Sequence, residues 1–242
     1  MGGRTMKTVE VTNFVKSYGK LEAVKGISFS IDKGEIFGLI GPNGAGKTTT
    51  LRVIATLLQI TSGTIQIFGI NVKQQPDQIR KLISYLPEDA GAYKNLTGRQ
   101  YLQFIANFFT NDQPKEMVEK GIIIADLGDR IDDKVDTYSK GMKRRLLVGR
   151  ALMNEPKLAI LDEPTSGLDV RNAQEIRGII KETAQNGTTI LLSSHNMLEV
   201  EYLCDRIALI SDGRIIIEGR PKDLKQRFHA ENIEEVFMKV VQ

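Results

Sequence analysis

The sequence predicts an α/β fold: a core on a mostly parallel sheet, with an N-terminal antiparallel β lobe and an inserted helical lobe. Three observations carry this. The runs Leu158-Ala159-Ile160-Leu161, Thr188-Thr189-Ile190-Leu191-Leu192 and Ile207-Ala208-Leu209-Ile210 are continuously apolar, as strands covered on both faces of a parallel sheet are, and helical patterns at 171–185 and 198–204 separate them. Thr8-Val9-Glu10-Val11-Thr12 and Gly26-Ile27-Ser28-Phe29-Ser30-Ile31 instead alternate apolar with polar residues between turn signals, the pattern of antiparallel strands. Residues 96–154 are mainly helical and polar-flanked, which marks them as an insertion.

Taken from the start, the segment 1–7 holds no apolar stretch of signal-peptide length. The two alternating strands come next, and 63–69 repeats their pattern and is expected to pair with them. Between these lies Glu35-Ile36-Phe37-Gly38-Leu39-Ile40, an apolar run that reads as a buried strand. Within the inserted lobe Tyr101, Phe104, Ile105 and Phe108 recur at helical spacing, a stripe that reads as lobe core rather than a ligand surface. After Pro221, Leu224, Phe228, Ile233, Val236, Phe237 and Val240 describe one or two amphipathic helices, which either pack on the core or serve a dimer or regulatory role. The expected units are a main domain over 6–220 and a helical tail over 221–242.

Composition excludes several classes. The 242 residues suit one domain with a subsidiary lobe, and no run of 18 apolar residues is present to cross a bilayer. With 33 basic and 30 acidic residues interspersed, the formal charge of +3 is too small to argue nucleic-acid binding. Cys204 is the single cysteine, so neither an intrachain disulfide nor a cysteine-built zinc site can form; its apolar setting suits a buried thiol.

The chemistry begins at Gly41-Pro42-Asn43-Gly44-Ala45-Gly46-Lys47-Thr48, placed between that buried strand and the helical start Thr49-Thr50-Leu51-Arg52. This strand–loop–helix context is what a phosphate loop requires. The glycines let the backbone turn tightly and aim its N–H groups inward, and the helix that follows adds the positive end of its dipole. Lys47 is placed to reach the β- and γ-phosphates and Thr48 to take a coordination position on Mg²⁺. Thr49 completes the nucleotide-binding run.

A second motif supplies carboxylates. The strand Leu158-Ala159-Ile160-Leu161 ends in Asp162 and Glu163, and ligands gather at the carboxyl ends of such strands. Asp162 is expected to hold Mg²⁺, and Glu163 to polarise an attacking water.

With both motifs in place the chain resembles, over nearly its whole length, the ATP-binding subunit of ABC transporters, which have a P-loop NTPase core. The most specific match is Tyr138-Ser139-Lys140-Gly141-Met142, which keeps Ser139 and Gly141 of the family's Leu-Ser-Gly-Gly-Gln signature and departs from it elsewhere. The resemblance implies that Ser139 and Gly141 cap the γ-phosphate held by a second subunit. It further implies that Asp169, in Ser166-Gly167-Leu168-Asp169, sits at the dimer seam, that His195 contacts the γ-phosphate as the switch histidine, and that Tyr18 stacks on adenine. Without the family, Tyr18 reads as a strand-end tyrosine packing on the β lobe. Glu88, in Leu86-Pro87-Glu88, stands where the family usually has glutamine. Ionised glutamate only accepts hydrogen bonds, so its expected partner is Mg²⁺ or the nucleophilic water.

The expectation is therefore an ATP hydrolase using ATP and Mg²⁺, working as a pair (a homodimer) on a separate transmembrane permease subunit. It would sit in the cytoplasm against the inner face of the membrane. The Tyr138 form of the signature and the tail 233–237 resemble the branch serving drug, antibiotic or lipid exporters. Two other readings share the loop: a soluble ABC ATPase acting in translation or DNA repair, and a P-loop kinase. The first usually carries two fused cassettes or a long coiled coil, and the second has no use for the Ser139 segment.

Overall fold

A computed structural model describes residues 7–109 and 114–241. The expected domain start at residue 6, the reading of 1–6, part of the inserted lobe and the last residue of the tail lie outside the described residues.

In chain order the strands are β1 (Lys7–Tyr18), β2 (Leu21–Asp32), β3 (Ile36–Ile40), β4 (Ser62–Ile67), β5 (Ile70–Asn71), β6 (Ile83–Leu86), β7 (Leu158–Asp162), β8 (Thr189–Ser194), β9 (Arg206–Ser211) and β10 (Arg214–Gly219). The helices are α1 (Lys47–Ile54), α2 (Pro76–Arg80), α3 (Gly98–Ala106), α4 (Pro114–Ala125), α5 (Lys140–Leu152), α6 (Val170–Gln185), α7 (Met197–Leu203), α8 (Pro221–Phe228) and α9 (Ile233–Val241). No described helix is long and apolar enough to cross a membrane.

The alternating segments form a four-stranded antiparallel sheet in the order β2-β1-β4-β5, with Val9, Val11, Ile65 and Ile67 turned into the core. The apolar runs form a second sheet in the order β10-β9-β3-β8-β7-β6, in which all pairs are parallel except β9 with β10. Every residue of β3, β7 and β8 is buried, which is why these strands read as unbroken apolar runs. Register places the functional loops: Ile40 pairs with Ser194 and Asp162 pairs with Ser193, so three strands end together at one edge. An open parallel sheet offers its ligand site there.

The segment 96–154 is helical as expected, with α3 opened by a reciprocal Thr97–Gln100 capping box. Its aromatic stripe corrects the expectation. Tyr101 is buried, but Phe104 and Phe108 are 39% and 73% exposed, and Ile105 only half-buried. The face of α3 that meets the core runs through Gly98, Tyr101, Leu102 and Ala106, rotated from the stripe. Phe104 instead meets Tyr93 and Phe108 edge-on, with ring centroids 5.3 and 5.1 Å apart.

The tail is two helices whose Leu224, Ile233 and Val236 join the main core. Glu201 of α7 holds them, accepting from Lys225 Nζ at 2.7 Å and from the Ile233 N–H at 2.6 Å. Cys204 is buried, as expected of it, just beyond the end of α7.

Candidate active site

The loop 41–46 is shaped by what surrounds it. A Cβ at Gly41 would lie 2.0 Å from the Ile210 carbonyl oxygen, so only glycine lets the loop pass the end of β9. Gly44 and Gly46 have φ of +80° and +104°, in the region that favours glycine, and Gly46 opens α1. The Gly41 N–H donates to the Ser194 carbonyl at 3.2 Å, and the Gly213 N–H to the Ala45 carbonyl at 3.0 Å, which anchors the loop to β8 and to the β9–β10 turn.

The side chains that follow converge. Lys47 is buried, donates to the carbonyls of Gly41 (2.7 Å) and Pro42 (3.2 Å), and lies 3.4 Å from Glu163 Oε1. Thr48 Oγ1 donates to Asp162 Oδ1 at 3.2 Å. Asp162 is wholly buried and held on both oxygens, Oδ1 also accepting from Ser193 Oγ at 2.6 Å and Oδ2 from the Tyr85 hydroxyl at 3.3 Å. Burial and the Asp162 charge push the Tyr85 phenol up to about 12, so it remains a donor at neutral pH. Glu163, 5% exposed, has φ +47°, a conformation non-glycine residues rarely adopt. Its N–H donates to Ser193 Oγ at 2.9 Å, and its Oε2 lies 2.8 Å from His195 Nδ1. Its Oε1 is buried without a hydrogen bond; Lys47 is close enough to pair with it in charge only.

Asn43, Gly44, Gly46, Lys47, Thr48, Thr49, Glu88 and Glu163 line one cavity of about 140 Å³, joined by Ala23, which sequence reasoning did not single out. Larger hollows exist, one of about 590 Å³ near the starts of β7 and β8, but none of the phosphate-loop residues or the paired acids reaches it. Glu88 also accepts from the Ser166 hydroxyl at 3.3 Å, which ties its loop to 165–168.

The remaining predicted residues do not line that cavity. Tyr18 is 45% exposed at the end of β1, with Lys16 Nζ 4.9 Å above its ring. Ser139 caps α5 by accepting from the Met142 N–H, and Asp169 caps α6 by accepting from the Asn172 N–H. The backbone and side-chain N–H groups of Asn172 hold the Asp169 carboxyl below the usual carboxylate range. A Cβ at Gly141 would lie 2.0 Å from Asn172 Oδ1, so Gly141 and Asp169 meet on the same residue and, with Ser139, form a second cluster.

Sequence reasoning missed Ser193, Tyr85, Arg144 and Glu199. Arg144 stands in the basic run Lys143-Arg144-Arg145, yet it is buried and donates to backbone carbonyls behind both acids. Glu199 is buried and accepts from Thr165 Oγ1 at 2.7 Å and Arg177 at 2.9 Å, tying α7 to the segment after Glu163. Ser193 merely follows the apolar run 188–192 and precedes a second serine, and nothing local distinguishes Arg144 from Arg145.

The donors suit a hard cation. Thr48 and Asp162 offer oxygen ligands, and the buried, unbonded Glu163 Oε1 is an acceptor lacking a donor. Among the described residues no group of three or more Asp, Glu, His or Cys side chains forms a cage. The two oxygen donors Thr48 and Asp162 are the number that Mg²⁺ asks of a protein, since it completes its shell with phosphate and water.

Residues 24–166 match the model of a family described as ABC transporter. The chain is 39% identical over 227 residues to the linearmycin resistance ATP-binding protein LnrL of Bacillus subtilis, covering 93% of this chain and 73% of that one. It is 38% identical over 221 residues to the Nod factor export ATP-binding protein I of Rhizobium etli, covering 90% and 70%. A solved structure of an ATP-binding subunit of an ABC transporter superposes with a TM-score of 0.85 at 28% identity, covering 97% of this chain and all of that one.

Proposed function

The chain belongs to the ABC transporter family as an ATP-binding, ATP-hydrolysing subunit, and we propose that it works in pairs, with Mg²⁺, to drive a separate permease in an exporter. The observation that carries the reading is the convergence on Glu163 of Lys47 from the phosphate loop and His195 from the end of β8.

In this reading the N–H groups of 43–49 cradle the phosphates, with Lys47 as a point charge on the β- and γ-groups. A triphosphate competes with the Gly41 and Pro42 carbonyls and with Glu163 for the same ammonium. As Lys47 turns to phosphate, Glu163 Oε1 becomes the acceptor for an attacking water, while His195 fixes Oε2. Thr48 and Asp162 would hold Mg²⁺, which when bound would neutralise charge that develops during transfer. Glu88 lines the same cavity and serves as an acceptor for metal or water. Tyr18 serves the adenine.

The second cluster has its use in trans. Ser139 and Gly141 stand at the start of a 13-residue helix, and a partner's γ-phosphate placed there would meet both the hydroxyl and the dipole. Asp169 lies at the seam, and two-fold pairing completes both sites at once. Loss of the γ-phosphate contacts then opens the pair, and that motion is passed to the permease. With no membrane-crossing helix among its described residues, the chain takes its membrane position, on the cytoplasmic face, from that partner. The names of the relatives, one of linearmycin resistance and one of Nod factor export, favour an export role over translation or repair.

Ser139→Arg tests the pairing. The variant should bind ATP as a monomer and fail to dimerise, read by light scattering with and without ATP; normal ATP-dependent dimers would reject the shared site.

A further inference from the structure

We propose that Arg144 is the positioning residue that locks Glu163 and the Glu88 loop to the helix beginning at Ser139, and so couples the two nucleotide sites of a pair. The inference rests on the paired reading above.

Arg144 lies in the second turn of α5, and its guanidinium is buried. Its Nε donates to the Pro164 carbonyl at 2.7 Å, Nη1 to those of Pro87 (3.3 Å) and Glu88 (3.2 Å), and Nη2 to those of Asp162 (3.0 Å) and Glu163 (2.8 Å). The five N–H groups of arginine thus each have a carbonyl oxygen available in the planar fork. Among the described ion pairs none involves Arg144, so its fixed geometry is spent on backbone alone. Burial lowers its pKa, and the charges of Glu88, Asp162 and Glu163 act in the opposite direction. Its neighbour Arg145 differs, pairing with Glu175 at 3.4 Å.

The bonds matter because of where they end. Glu163 sits at φ +47°, and a residue held in that region persists only when its surroundings over-determine it. The Ser193 hydroxyl holds its N–H and Arg144 holds its carbonyl, one on each side of the strained Cα. The same guanidinium grips the carbonyls that precede and include Glu88, which lines the phosphate cavity. Any shift of α5 therefore moves both acids of its own site. Ser139, at the start of that helix, addresses the partner's nucleotide in the paired reading, so occupancy of one site sets Glu163 in the other.

The test uses the full chain and compares wild type with Arg144→Gln, Arg144→Lys and, as a control, Arg145→Gln. Lysine keeps the charge but has three donors at one point and cannot span the loops. The expected result for Arg144→Gln is binding of a fluorescent ATP analogue within about threefold of wild type, kcat down about 10–100-fold, and a Hill coefficient for ATP falling to about 1. Arg144→Lys should remain folded at the assay temperature and recover neither kcat nor cooperativity, and it decides the matter if the glutamine variant does not fold. Arg145→Gln should match wild type. Cooperative wild type with Arg144→Lys unchanged in kcat and Hill coefficient overturns the inference. A wild type with a Hill coefficient of about 1 and no ATP-dependent dimer instead overturns the paired reading itself, and the coupling with it.

Discussion

His195 Nδ1 lies 2.8 Å from Glu163 Oε2, and because an ionised carboxylate only accepts, the ring nitrogen is the donor. That bond fixes the tautomer of His195 and the orientation of the acid together. Their strands are adjacent and parallel, so the contact follows from sheet register rather than from sequence proximity. His195→Ala should leave ATP binding within a fewfold of wild type while lowering kcat by about 10²-fold, the scale of a misplaced acid–base group. Steady-state kinetics check this, and an equal rise in KM with kcat unchanged would place His195 in binding alone.

Gly41 and Gly44 are both glycines of the phosphate loop, but for different reasons. A Cβ at Gly41 meets the Ile210 backbone at 2.0 Å, whereas one at Gly44 meets nothing within 4 Å and strains only the backbone, at φ +80°. Gly41→Ala should therefore cost several kcal/mol of stability, above the ~1–3 kcal/mol of an ordinary overpacked site. Gly44→Ala should cost about 1 kcal/mol and act mainly on nucleotide affinity. Urea unfolding and ATP titration of both variants separate the two roles.

Cys204 is buried against Gly38, where a Cβ would come within 2.9 Å of its sulfur, and burial pushes its thiol well up. The folded pKa is raised, so the stability this group contributes is complete below the ordinary thiol value of about 8.5 and is lost progressively as pH rises above it. Wild type should lose stability relative to Cys204→Ala by up to about 1.4 kcal/mol per pH unit above that point. The same burial predicts negligible alkylation of the folded chain at pH 8 and rapid alkylation in urea.

Tyr93, Phe104 and Phe108 are exposed, meet edge-to-face in sequence, and are reached through the segment that follows Glu88. If the permease of the proposed exporter docks on this lobe, these rings are the exposed apolar surface it would cover. Phe104→Ser with Phe108→Ser should leave the ATPase rate of the isolated chain within about twofold and abolish copurification with the membrane subunit. Retained copurification would move that contact elsewhere.

Legibility followed the range of the interactions. The strands β3, β7 and β8 and the loop 41–48 were readable because burial on both faces and phosphate binding impose local patterns. The exposed Phe104 and Phe108 were misread, since helical spacing reports which residues share a face and not what covers that face. Ser193, Tyr85 and Arg144 were out of reach because their roles arise where separate strands and α5 come together. Arg144 in particular has the sequence context of any basic helix start.

The most direct test of the central claim is Glu163→Gln, measured for ATP-dependent dimerisation and phosphate release in one preparation. The amide keeps the shape of the side chain and removes the acceptor for a water proton. The account predicts a stable ATP-bound dimer with turnover reduced by about 10²–10⁴-fold. Continued hydrolysis near the wild-type rate, with no dimer trapped by ATP, would contradict it.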